Sequence, residues 1–319
     1  MKRISLSYAL LLIFVISGCS KTGVTQRATL GSKQAAENTP DKSPRYQELQ
    51  NQINQIAALA KGRVGVSAVV LETGETVAAL NSQDHFPMQS IYKLPISMAV
   101  MKQVDAGKIK LEQKVKVAKE DYVGRAAHSP IRDKYRDGVE LTVNELLRFA
   151  LSESDGTASD VLMKLAGGPG AIQAYLTELG IKDMIVLDTE QSFIQDHSLQ
   201  YRNFATPGAA VALLRALYEH RGLSESSQAL VLKFMTESTT GPKRLKGLLP
   251  AGTNVAHKTG TSGTENGITA ATNDIGIITL PGGAHAAIAV FISDSPADEA
   301  TREGTIAKIA KAVWDSKIK

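Results

Sequence analysis

A β-strand is predicted at residues 64–71, which read Val-Gly-Val-Ser-Ala-Val-Val-Leu. The residues alternate and several are β-branched, as in a strand buried in a sheet. Thr73-Gly74 follows as a turn signal, and a second apolar run extends from Val77 to Leu80. The two runs predict a β-hairpin.

Helices and further strands are predicted before and after this hairpin in the sequence. Apolar residues recur at helical spacing from Arg45 to Ala60. Between about Ser90 and Met235 the pattern is mostly helical, with predicted helices at 91–104, 143–151, 157–165, 169–179, 207–218 and 226–234. Strand character returns at 254–259, 270–280 and 286–292, before a last amphipathic helix at 298–314.

Strands at both ends of the chain predict one sheet built from the two termini. We therefore expect an α/β fold of the α+β sandwich type, with a mixed, largely antiparallel sheet flanked by helices. The helical middle would be an inserted all-helical domain. The expected domains are 45–85 with 236–319, and 86–235.

The composition and charge of the chain exclude several classes of function. Of 319 residues, 43% are hydrophobic and 21% charged, as in a globular protein. Without Lys2 and Arg3, 34 basic residues face 32 acidic ones, a net charge of +2 that is too small for a nucleic-acid binder. One cysteine and six scattered histidines show no metal-site spacing. We expect a small-molecule partner, no nucleic acid, no metal and no cofactor.

The N-terminus has the layout of a secretory signal. Lys2 and Arg3 precede an apolar segment from Tyr8 to Ile16, which is shorter than the roughly 20 residues that span a bilayer. Ile16-Ser17-Gly18-Cys19 resembles the lipobox of bacterial lipoproteins, which implies acylation of Cys19 and removal of residues 1–19. An ordinary signal peptide is the alternative. Polar, small residues at 20–44 indicate a flexible tether.

Ser90-Ile91-Tyr92-Lys93 is an S-x-x-K sequence. On a helix, positions i and i+3 share a face, so the Lys93 amine can help to remove the proton of the Ser90 hydroxyl. The pattern is weak by itself, since Ser316-Lys317-Ile318-Lys319 also fits it at the C-terminus.

Two further short patterns follow. Lys258-Thr259-Gly260 stands at the end of a predicted strand, whereas Lys21-Thr22-Gly23 spells the same letters in the tether. Ser154-Asp155-Gly156 lies between two predicted helices, where it could equally be a helix N-cap.

S-x-x-K, S-D-x and K-T-G in this order form the signature of penicillin-recognising serine enzymes. From Arg45 to Lys319 the chain resembles class A serine β-lactamases. Residues 257–263, His-Lys-Thr-Gly-Thr-Ser-Gly, and 269–274, Thr-Ala-Ala-Thr-Asn-Asp, resemble the subgroup with the PER, VEB and CfxA-type enzymes.

The resemblance implies roles for individual residues. Ser90 would be the nucleophile that opens the β-lactam, with Lys93 and Ser154 relaying protons. The N–H groups of Ser90 and Thr261 would form the oxyanion hole. Lys258 would attract the substrate carboxylate.

The same resemblance makes Thr259, Gly260 and Thr261 part of the substrate site. Arg244 stands where related enzymes carry a second carboxylate-binding arginine, and an ordinary surface charge is the alternative.

Glu190 would separate a hydrolase from a mere acyl acceptor. It matches the residue that activates the deacylating water on the family's Ω-loop, here expected as an irregular loop at about 187–207. A surface glutamate is the alternative.

Several positions depart from the family pattern. Gly156 replaces the usual asparagine of S-D-N, so a substrate hydrogen bond of about 0.5–1.5 kcal/mol is lost. Ile194 stands where relatives place a polar residue that holds the water. His128 replaces an aromatic gatekeeper, unless it is a solvated loop residue. The usual Arg–Asp pair at the Ω-loop neck is missing, because those positions read Asp188 and Asn203.

We therefore expect a β-lactamase acting on penicillins and cephalosporins and conferring resistance. It would be exported, periplasmic or in the cell envelope, lipid-anchored through Cys19, and monomeric. A D,D-peptidase-like acyl acceptor or a β-lactam-sensing lipoprotein is the alternative, and Glu190 argues against it.

Overall fold

The structure, a computed structural model, describes residues 43–317. The signal segment, Cys19 and nearly all of the predicted tether lie outside the described residues. The strands are β1 Arg63–Val70, β2 Thr76–Leu80, β3 Phe86–Pro87, β4 Lys114–Val117, β5 Val139–Thr142, β6 Met184–Ile185, β7 Phe204–Ala205, β8 Val255–Thr261, β9 Thr264–Glu265, β10 Ile268–Thr279 and β11 His285–Ser295.

Helices precede, interrupt and follow the strands. They are α1 Pro44–Ala57, α2 Lys93–Asp105, α3 Pro130–Lys134, α4 Val143–Ser152, α5 Gly156–Ala166, α6 Pro169–Glu178, α7 Glu190–Gln195, α8 Pro207–Tyr218, α9 Glu225–Thr236 and α10 Glu299–Asp315. Short 3-10 turns occupy Ala58–Ala60, Gln89–Tyr92, Lys119–Asp121 and His197–Tyr201. No helix between residues 43 and 317 is long and apolar enough to cross a membrane.

The main sheet joins the two ends of the chain, as the sequence predicts. Its order is β2-β1-β11-β10-β8, with β9 paired to the end of β10, and every pairing is antiparallel. The predicted hairpin is present, with Val66 opposite Leu80. The mixed α/β fold class is confirmed.

Both faces of the sheet are buried. Val66 and Ala68 of β1 pack with Ile53 of α1 and Ile306 of α10 on one face. Val69 joins the larger apolar core on the other face, which is shared with the helices of the middle segment. The alternation within β1 therefore reflects two different cores.

The middle segment is mainly helical but also contains two small sheets, which the sequence pattern does not indicate. β4 pairs with β5, and β7 lies between β3 and β6. The latter sheet matters for function, because β3 leads directly to Ser90 while β6 and β7 bracket the segment with Glu190.

The Ω-loop was expected to be irregular, and this expectation is wrong. Residues 187–207 contain α7 and a 3-10 turn, because Thr189 caps the start of α7 by accepting a hydrogen bond from Ser192 N. The boundaries of the two expected domains remain a prediction.

Candidate active site

Ser90 lies in the 3-10 turn that leads into α2. The preceding residue, Gln89, has a φ of +49°, a left-handed conformation that is strained for a side chain of this size. Asn273 holds the segment from behind, since its Nδ2 donates to Pro87 O at 2.8 Å. The turn is therefore fixed by the main sheet.

Gly260 explains how the K-T-G strand reaches Ser90. A Cβ at Gly260 would lie 2.3 Å from Met88 O, a distance that backbone atoms cannot tolerate. Only glycine lets β8 run this close to the nucleophile turn. Thr261, the next residue, consequently lines the same cavity as Ser90, as an oxyanion hole built from their N–H groups requires.

Two lysines meet at Ser154. Lys258 Nζ donates to Ser154 Oγ at 2.9 Å, and Lys93 Nζ donates to Ser154 O at 2.7 Å. Both lysines are buried. Burial lowers the pKa of Lys258 well below its ordinary range, and the positive charge of Lys93 lowers it further. Ser154 itself has a φ of +58°, a left-handed backbone conformation.

The helix N-cap interpretation of the S-D-G sequence holds for Asp155 rather than for Ser154. Asp155 Oδ1 accepts from Ala158 N at 2.8 Å and caps α5, while Oδ2 accepts from Ile131 N at 2.7 Å. Burial raises the pKa of Asp155 above its usual value. The sequence thus has two functions, a structural cap and a serine presented to the lysines.

Glu190 begins α7 and faces the same cluster. Its Oε2 lies 3.3 Å from Lys93 Nζ and accepts a hydrogen bond from Tyr92 Oη at 2.8 Å. Its backbone N–H donates to Asp160 Oδ1 at 2.8 Å, and Gln191 N donates to Asp160 Oδ2 at 2.9 Å. Glu190 is therefore held at both its backbone and its carboxylate.

The neck of the Ω-loop is held by an amide. Asn203 Oδ1 accepts from Leu187 N at 2.7 Å and from Asp188 N at 3.0 Å. An Arg–Asp ion pair is nevertheless present, because Arg202 Nε lies 3.3 Å from Asp188 Oδ2. The usual pair is missing, because position 203 is an asparagine, and Asp188 pairs instead with the residue before position 203.

Arg244 is placed behind the cavity wall. It is 3% exposed and lies 3.1 Å from Glu303 Oε1. Its Nη1 donates to Gly260 O and Asn273 O, and its Nη2 donates to Thr261 Oγ1 at 2.8 Å. Thr261, not Arg244, lines the cavity. Arg244 can therefore act on a substrate through the Thr261 hydroxyl and by its charge.

His128 and Thr259 differ in their exposure. His128 is exposed, lines the cavity, and has its Nε2 2.9 Å from Glu153 O. Thr259 is buried, with its hydroxyl 2.6 Å from Thr240 Oγ1. Ile194 lies in α7, and its side chain is outside the described part of the structure.

One cavity of about 350 Å³ has a lining that includes Ser90, Lys93, His128, Glu190, Phe193 and Thr261. Ser154, Lys258 and Thr259 are buried and do not belong to this lining. The size of the cavity suits a small molecule. The sequence interpretation missed Tyr92 and Asp160, and it named Asn203 only as a position where the usual charge is lacking. Only Tyr92 gives a sequence signal, since it lies within the S-x-x-K motif.

A serine at a strained turn, two buried lysines and a carboxylate in this fold define a serine hydrolase with an acyl-enzyme site. The model of the beta-lactamase enzyme family matches residues 48–316, and the chain belongs to this family. More narrowly, it is a class A serine β-lactamase of the PER and VEB type.

Three similar proteins illustrate the likeness. The extended-spectrum β-lactamase PER-1 of Pseudomonas aeruginosa is 41% identical, covering 94% of this chain and 96% of its own. The β-lactamase VEB-1 of the same organism is 39% identical over 82% and 88%. The crystal structure of a β-lactamase from Chitinophaga pinensis has a TM-score of 0.82 at 45% identity, covering 84% and 98%. The acyl-acceptor alternative has no support among them.

Proposed function

We propose that this β-lactamase works through a Ser90 acyl-enzyme that Glu190 deacylates. The observation that supports this most is the convergence of Lys93 Nζ on Ser154 O at 2.7 Å and on Glu190 Oε2 at 3.3 Å, in the wall of the cavity that Ser90 lines.

In acylation, Lys93 first releases its ammonium proton to water, and its free amine then accepts the hydroxyl proton as Ser90 Oγ bonds to the β-lactam carbonyl carbon. The N–H groups of Ser90 and Thr261 stabilise the oxyanion, each contributing about 10²–10³ in rate. The carbonyl–nitrogen bond then breaks, the Ser154 hydroxyl delivers its proton to the nitrogen, and Lys93 passes the Ser90 proton on to Ser154, which restores the hydroxyl. Lys258, 2.9 Å from that hydroxyl, stabilises the charge that develops there.

In deacylation, Glu190 takes a proton from a water molecule whose oxygen attacks the ester carbonyl. The bond to Ser90 Oγ breaks and the proton returns to that oxygen. The substrate carboxylate binds at Lys258 and Thr261, with Thr261 polarised by Arg244 from behind.

The experiment mixes purified enzyme with a chromogenic cephalosporin and measures intact mass after seconds and after an hour. We expect many turnovers with a transient adduct, and at least roughly 10⁴-fold less turnover in Ser90→Ala. One equivalent of colour with a lasting adduct would instead indicate an acylating trap. Turnover of Ser90→Ala at the wild-type rate would exclude the serine nucleophile.

We also propose that cephalosporins are preferred substrates, because the relative PER-1 is called an extended-spectrum β-lactamase. The measurement is kcat/KM for matched penicillin and cephalosporin substrates. A clear preference for the penicillin would contradict this.

We infer further that the protein is exported, lipidated at Cys19, resident in the periplasm or cell envelope, and monomeric. The support is the signal-like segment and the lipobox-like Ile16-Ser17-Gly18-Cys19. Palmitate labelling of the expressed chain and its loss in Cys19→Ser test lipidation. Release of unlabelled wild-type protein as soluble enzyme would contradict it, and light scattering tests the monomer.

A further inference from the structure

Gly156 lies against the side chain of Glu190. A Cβ at Gly156 would be 2.8 Å from Glu190 Cγ and 3.3 Å from Glu190 Cδ. Carbon atoms in favourable contact are about 3.5–4.0 Å apart, so any side chain here requires movement of Glu190. Gly156 is not among the residues with positive φ, so its backbone does not require a glycine. The glycine instead leaves space for the side chain of Glu190.

Movement in the other direction is also restricted. Beyond Gly156, the same Cβ would lie 3.2 Å from His128 O, which accepts a hydrogen bond from Gly156 N at 2.9 Å. The start of α5 is thus tied to the segment of His128. A side chain at 156 would therefore displace Glu190 more readily than it would displace α5.

Tyr92 holds the end of the same side chain. Its ring is fully buried and its Oη donates to Glu190 Oε2 at 2.8 Å. Phe193 of α7 packs edge-on against the ring, with centroids 6.0 Å apart and planes at 81°. Tyr92 and Lys93 therefore both contact the same carboxylate oxygen, Oε2.

We propose that Gly156 and Tyr92 are the positioning residues of Glu190: the glycine gives the side chain its space, and the phenol fixes which carboxylate oxygen receives the water proton. This rests on the proposed role of Glu190 in deacylation. The proposal also changes how the loss of asparagine at position 156 is interpreted. An asparagine there would occupy the space of the Glu190 side chain instead of restoring a substrate contact.

The test separates acylation from deacylation in Gly156→Asn, Gly156→Ala and Tyr92→Phe. When deacylation limits turnover, kcat and KM fall together while kcat/KM, which reports acylation, stays constant. We expect kcat to fall at least about tenfold in each variant, since small misplacements can cost up to 10²-fold, with kcat/KM within about threefold. Intact mass should show a persistent adduct.

The control variants are Gly170→Ala and Tyr175→Phe. Among residues 43–317, nothing described lies within 4 Å of a Cβ added at Gly170 in α6, and the buried Tyr175 Oη has no hydrogen-bond partner. Both should keep wild-type kcat and KM. A variant that only folds poorly lowers kcat and kcat/KM equally and leaves KM unchanged, so that pattern would count against positioning.

Two outcomes are decisive. If Gly156→Asn raises kcat, or if Gly156→Asn and Tyr92→Phe deacylate like the wild type, the positioning proposal is overturned. Glu190→Gln distinguishes this from failure of the proposed function. Trapping in Glu190→Gln alone overturns only the positioning roles, whereas normal deacylation in Glu190→Gln overturns the role of Glu190 itself.

Discussion

Asn203 and Asp188 hydrogen-bond to each other in both directions across the neck of the Ω-loop. Asn203 Oδ1 accepts from Asp188 N at 3.0 Å, and Asn203 Nδ2 donates to Asp188 O at 2.9 Å. An amide side chain carries an acceptor oxygen and a donor NH2 group, so one side chain makes both hydrogen bonds. The neck therefore depends on an uncharged, fully buried side chain.

Asn203→Ala should loosen this neck. It leaves partly buried backbone groups of Leu187 and Asp188 without these partners, which costs about 1–2 kcal/mol of the free energy of unfolding. Deacylation should slow more than acylation, because the loop carries Glu190. Urea unfolding and pre-steady-state kinetics measure the two effects. Replacement of the exposed Asn144 by alanine is the control, and equal stability of the two variants would contradict the prediction.

Asp160→Asn should change the pH dependence of stability. Burial, with a smaller contribution from Glu190, raises the pKa of Asp160 from 3.8 to about 6. The folded state therefore binds a proton more tightly than the unfolded state, and stability falls as the pH rises between about 4 and 6.

The asparagine removes this cost above pH 6 but loses one of the two backbone hydrogen bonds at every pH. We expect the stability of Asp160→Asn relative to the wild type to increase by roughly 1–3 kcal/mol from pH 4.5 to pH 7.5. Thermal unfolding across this range measures it. A constant difference between the two proteins would show that Asp160 does not titrate there.

Gly260→Ala should impair acylation. The added Cβ would lie 2.3 Å from Met88 O, so β8 must move away from Ser90 and the oxyanion hole opens. Loss of one donor's alignment predicts a fall in kcat/KM of about 10²-fold. Gly263→Ala is the matched control, since nothing lies within 4 Å of its added Cβ. Equal kcat/KM in both variants would be inconsistent with the close approach.

Arg244→Ala should destabilise the fold as well as weaken substrate binding. It removes four contacts, including the ion pair with the largely buried Glu303, and breaking such a pair costs about 3–5 kcal/mol. Arg244→Lys should recover only part of this, because one ammonium cannot reproduce the guanidinium geometry. If either variant raised KM with unchanged stability, Arg244 would be a surface substrate ligand.

The main sheet and the long helices are predictable from sequence because their periodicity extends over many residues. The pairs of residues in β3, β6 and β7 are too short to show a period, although they bring the Ser90 and Glu190 segments together. The motifs identify Ser90, Lys93 and Lys258 because their spacing along the chain is characteristic.

The surroundings of Glu190 could not be predicted in the same way. Tyr92, Gly156 and Asp160 come from two other segments, and their proximity depends on the packing of α2, α5 and α7. From sequence, Gly156 indicates only a lost hydrogen bond. In the structure, the Glu190 side chain occupies the space that a side chain at position 156 would need.

The most direct test of deacylation by Glu190 is a single mixing experiment with Glu190→Gln and a cephalosporin, followed by intact mass and peptide mapping. If Glu190 deacylates the enzyme, this variant releases one equivalent of ring-opened chromophore rapidly and then keeps a stable adduct on the peptide that contains Ser90, with turnover reduced by about 10²–10⁴-fold. Turnover at the wild-type rate, or an adduct on a different peptide, would contradict it.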